Sequence, residues 1–94
     1  MAVIDRNWKI TKKDSKKIIE DVKNLLKTLG LDGKYDVEIR DITEKDSVIK
    51  PLYSVIIDVP KHIPEKKRVM IMESVDKYLE ENYGYNISVS VITD

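Results

Sequence analysis

Apolar positions along the chain repeat in two periods, and the switches between them divide it into five elements. Ile18, Ile19, Val22, Leu25, Leu26 and Leu29 recur at spacings of one, three and four. At about 100° per residue they form a stripe roughly 120° wide, as on a helix lying against a sheet. The pattern predicts a helix from about residue 12 or 14 to 29. Thr11 or Asp14 caps its start, and Gly30 ends it in the left-handed conformation. Residues 31–33 then turn the chain.

From 35 to 42 the period becomes two. Tyr35, Val37 and Ile39 alternate with Asp36, Glu38 and Arg40, which predicts a half-buried strand. Residues 43–51 read as a polar loop. A second strand, 52–59, places Tyr53, Val55, Ile57 and Val59 on one face and Leu52 and Ile56 on the other. Apolar on both sides for part of its length, it suits the centre of a sheet. A helix opens at Pro64, with Pro at the first helical position, and runs to about Tyr83. Its buried stripe is read as Ile71, Met72, Val75, Tyr78, Leu79 and Tyr83, with Gly84 as the stop. Residues 86–93 form a third strand, alternating Ile87, Val89 and Val91 with Ser88 and Ser90.

The order α-β-β-α-β constrains the topology. The first two strands pair as an antiparallel hairpin, and a right-handed crossover sets the third parallel to the second. The expected fold is an α+β two-layer sandwich: a three-stranded mixed sheet of order 1-2-3 with both helices on one face. Residues 1–94 form a single domain, with 1–10 an N-terminal arm or short edge strand in which Trp8 packs as a lid.

Composition narrows the possible chemistry. Without cysteine there are no disulfides, zinc-thiolate sites or thiol nucleophiles, and a reducing cytoplasm is the compartment that fits. No apolar run approaches the roughly 20 residues of a membrane span, and the start carries no signal-peptide apolar segment. Net charge is zero but divided. Residues 1–29 hold eight basic and four acidic side chains, and the remainder hold nine and thirteen.

Four constellations offer chemistry. The sheet face turned from the helices carries Ser54, Ile56, Ser88, Ser90 and Ile92, and a two-layer domain cannot cover it with its own helices. It is the expected partner-binding surface, weighed against an ordinary solvated face. Lys12, Lys16, Lys23 and Lys27 fall on one flank of the first helix and could meet phosphates of RNA or anionic lipid. Glu20 interrupts them, and no arginine or aromatic row accompanies them. The element order is similar to the type II K-homology arrangement, whose Gly-x-x-Gly binding loop has no counterpart in residues 64–83. His62, near Asp58 and Glu65, is the only histidine, and a metal site needs three or four ligands. No metal or cofactor is expected. Without a Gly-x-Ser-x-Gly elbow, a Gly-rich phosphate loop or a second base beside His62, the residues predict no catalytic site.

Over about the last 40 residues the chain resembles the alkaline shock protein family and its membrane-anchor relatives. The likeness rests on Ile63-Pro64-Glu65 opening a helix, the middle Val75-Asp76-Lys77-Tyr78-Leu79, then Gly84 and the strand Ser88-Val89-Ser90-Val91. It implies a non-enzymatic, self-associating protein tied to bacterial envelope stress, at the membrane only through an anchored partner. The chain departs from that family in having no transmembrane segment. The expected partner is a second copy, as a homodimer, or another protein, with an RNA- or ribosome-associated domain as the alternative.

Overall fold

The computed structural model of the chain describes residues 10–31, 35–42, 52–83 and 86–93. The arm with Trp8, the turn at 32–33, the loop at 43–51 and the stop at Gly84 lie outside them. The elements are α1 (Lys12–Thr28), β1 (Asp36–Asp41), β2 (Tyr53–Val59), α2 (Glu65–Asn82) and β3 (Ile87–Thr93). The sheet has the expected order β1-β2-β3. β1 pairs antiparallel with β2, from Asp36 opposite Asp58 to Asp41 opposite Tyr53. β3 pairs parallel with β2, from Tyr53 opposite Ile87 to Val59 opposite Thr93.

One core lies between the helices and the odd-numbered strand residues. Ile18, Val22 and Leu26 of α1, Val55 and Ile57 of β2, and Ile71 and Val75 of α2 are fully buried. Burying apolar surface at about 25 cal/mol per Å² is the dominant favourable term, and these side chains concentrate it under β2. The edge strands contribute half-buried residues: Val37 and Ile39 on one side, Ile87, Val89 and Val91 on the other. Tyr53, at the head of β2, is buried, and its hydroxyl accepts a hydrogen bond from the Ile10 amide (3.0 Å), tying the entry to α1 onto the sheet.

Both helix boundaries have local causes. Thr11 is the N-cap of α1, its hydroxyl accepting from the Asp14 amide at 3.1 Å. At the other end the Gly30 amide donates to Lys27 O (3.0 Å) and the Leu31 amide to Leu26 O (3.0 Å). That paired closure needs a left-handed residue at Gly30, where φ is +79°, and it drives Leu31 into the core beside Leu26. A Cβ at position 30 meets nothing within 4 Å, so a side chain there is opposed by backbone conformation alone. Gly30→Ala should therefore cost about 1–2 kcal/mol of stability, with Gly30→Asn less costly, read from urea melts of the two variants side by side.

Two details of α2 differ from the sequence reading. Pro64 stands at the N-cap, with extended backbone (φ −67°, ψ 154°), and its carbonyl accepts from the Lys67 and Arg68 amides. Its ring lacks a donor either way, so the boundary moves by one residue without penalty. Met72, placed in the buried stripe, is 37% exposed, whereas Ile71, Val75 and Leu79 are buried. The buried residues Ile71, Val75 and Leu79 span an arc of only about 80° at 100° per residue, and Met72 falls at its rim.

Candidate interaction surface

The sheet face turned from the helices is laid out by the strand register. Arg40, Ser54 and Ser88 form one cross-strand row, Glu38, Ile56 and Ser90 the next, and Asp36, Asp58 and Ile92 the third. The predicted partner residues share this face but differ in access. Ser54 is only 7% exposed and Ile56 is half-buried, whereas Ser88, Ser90 and Ile92 are exposed, Ile92 at 44%. Ser54 is a small side chain on the central strand with the longer Leu52 and Ile56 along it and Arg40 across it on β1, so water and any partner reach it poorly. The accessible part of the predicted surface is its β3 side. On the β1 side, the Arg40 Nε lies 2.6 Å from Glu38 Oε1, an exposed pair that holds two charges on that rim.

The two sheet edges have opposite characters. β1 exposes Asp36, Glu38, Arg40 and Asp41, a charged border of the kind that resists pairing with another chain. β3 carries only Ile, Ser, Val and Thr along its seven residues. Sequence reasoning passed over this contrast, although both strands' compositions displayed it.

The lysines do come together. Lys12, Lys16, Lys23 and Lys27 are all exposed, and at about 100° per residue they occupy an arc of roughly 60° on α1. Lys12 and Lys16 border an open concavity of about 360 Å³ that is also lined by Ser15, Ile39, Asp41 and Tyr53. His62 is exposed and Asp58 half-buried. Among the described residues no three His, Cys, Asp or Glu side chains are grouped to hold a metal ion. Among them too, no helix is long and apolar enough to cross a membrane.

A polar cluster between the helices was missed. The Tyr83 hydroxyl donates to Asp21 Oδ2 at 2.6 Å, joining the end of α2 to the middle of α1. Burial first, then the hydrogen bond to Asp21 and its negative charge, holds the Tyr83 phenol well above its ordinary value near 10. Tyr78 is raised in the same sense, by burial and then by the charge of Asp21 and a hydrogen bond to it. Tyrosines in an apolar stripe usually require a partner for their hydroxyls, and Asp21, beside Val22 at the stripe's border, was the signal available. The arrangement is a clamp between the two helices. Comparison with protein-family models, with curated proteins and with solved structures finds no match for this chain.

Proposed function

We infer that this chain is a non-enzymatic interaction module that associates with another polypeptide, a second copy of itself first of all, at the β3 side of its sheet. The observation that carries this reading is the one-sided layering. Among the described residues two helices cover a single face, and on the other face the exposed, uncharged Ser88, Ser90 and Ile92 adjoin an uncharged strand edge. The resemblance of the last 40 residues to the alkaline shock protein family supports the same reading, including a role in stress. A chain without cysteine suits a reducing compartment, and the cytoplasm is where this reading puts it. Sedimentation velocity over a hundred-fold range of concentration tests the self-association. A mass rising toward twice the monomer supports it, and a monomer throughout removes it.

A second reading is favoured by the collinear lysines on α1, which match a phosphate-bearing strand of RNA better than a protein surface. Neutralising contacts to phosphates makes binding fall steeply with salt. A gel shift with single-stranded RNA at low salt, weakened at least about ten-fold by the double variant Lys16→Glu/Lys23→Glu, would establish it. No shift at low salt would eliminate it.

A further inference from the structure

We propose that the outer edge of β3 is a self-pairing strand, on which a second copy of this chain adds its own β3 antiparallel about a two-fold axis at Ser90, giving a continuous six-stranded sheet. The proposal rests on the self-association reading above and names its surface.

The backbone comes first. The Tyr53 amide donates to Asn86 O at 3.0 Å. In a parallel ladder this turns the peptide groups of Ser88 and Ser90 toward β2 and those of Ile87, Val89, Val91 and Thr93 outward. Among the described residues β3 pairs with β2 alone. An open row of donors and acceptors, uncharged and free of proline over seven residues, is a template for another strand.

The occupant follows from symmetry. Antiparallel pairing about Ser90 sets Val89 opposite Val91 and Ile87 opposite Thr93 of the copy, all with outward peptide groups, which is the hydrogen-bonded set. Ser90 meets its own copy, and Ser88 meets Ile92, in the non-hydrogen-bonded set on the open face. Donors, acceptors and face parity all agree, and no charge opposes a like charge.

The helix layer adds a second complement. On α2 the buried stripe is centred on Val75. Tyr78 lies about 60° to one side of it and Met72 about 60° to the other, at 100° per residue. The right-handed crossover from β2 to the parallel β3 turns the Tyr78 flank toward α1, where Tyr78 is half-buried against the core. Met72 therefore lies on the flank over the β3 edge, with Val69 beyond it, 37% and 42% exposed. A partner that covers this side must bring a strand for β3 and an apolar helix flank for Met72 and Val69. This chain's own edge offers both, and the two-fold axis puts each against its copy.

The test is a charge swap at the axis. Ser90 is exposed, so Ser90→Lys and Ser90→Glu leave the monomer fold in place, which thermal melts by circular dichroism check. Each places like charges opposite one another in a pair whose Cα atoms are about 4.5 Å apart. Each variant alone should raise the dimer dissociation constant measured by sedimentation by about five-fold or more. Their equimolar mixture should restore it, and Met72→Lys should weaken dimerisation independently. A wild-type dimer that both Ser90 variants leave unchanged overturns the pairing but not self-association. A mixture no tighter than either variant overturns the two-fold register. A wild-type monomer at all concentrations overturns both readings together.

Discussion

Ile57→Ala should lower the unfolding free energy by about 3–4 kcal/mol. Ile57 is fully buried on the central strand, between Val37 of β1 and Val91 of β3 in register and in one cluster with Val22, Leu26, Ile71 and Val75. Truncation removes three carbons' worth of transfer free energy and leaves a cavity that two helices and a sheet cannot close together. Buried Ile→Ala changes of this kind cost about 2–5 kcal/mol. A domain of this size has on the order of 5–15 kcal/mol in total, so the variant should be marginal in mild denaturant. With a urea dependence of about 1 kcal/mol per M, the midpoint should fall by roughly 3 M. Ile92→Ala is the control, because Ile92 is 44% exposed, and it should move the stability of the isolated monomer by less than about 0.5 kcal/mol. Similar losses from both variants would mean that the two sides of the sheet are not differently covered.

Asp21→Ala should cost about 2–3 kcal/mol near neutral pH, a large effect for a polar residue on a helix surface. Its carboxylate receives the Tyr83 hydroxyl at 2.6 Å and interacts with Tyr78. A hydrogen bond to a charged group contributes about 1.5–3 kcal/mol, and its loss strands two phenols between the helices. Tyr83→Phe removes only one donor and should cost less. The cluster also sets an alkaline limit. Both phenols titrate higher in the folded chain than in the unfolded one, so the folded state holds their protons more tightly. Their contribution is complete below about pH 10 and is lost as pH climbs above it, because the unfolded chain then releases protons that the fold retains. Tyr83→Phe should make that alkaline decline shallower, measured as urea midpoints between pH 8 and 11. An unchanged slope would mean that the Tyr83 phenol is not held by Asp21.

Period and punctuation make most of this fold legible in the sequence. The α1 stripe of Ile18, Val22 and Leu26 is the core. Gly30 is left-handed, and the doubly apolar 52–59 segment is the central strand. What escaped depends on how elements face one another. Met72 belongs to the stripe by spacing and to the rim by packing, because only the sheet's position decides how wide an arc is pressed. Ser54 sits on the open face by parity yet is shielded by its neighbours, a fact of cross-strand register that one strand cannot carry. The role of Asp21 shows only once α2 brings Tyr83 against it. The residues of the candidate surface do share one face, but their accessible part is the β3 side, whose missing charges were in view from the start.

The most direct measurement is amide hydrogen exchange along β3 at low and high protein concentration. The Ser88 and Ser90 amides point to β2 and should be protected at both. The Val89 and Val91 amides point outward and should exchange freely in the dilute protein, then slow by an order of magnitude or more as copies pair. Free exchange of Val89 and Val91 at every concentration, alongside protected Ser88 and Ser90, would contradict the shared strand and with it the proposal that this chain pairs with a second copy through β3.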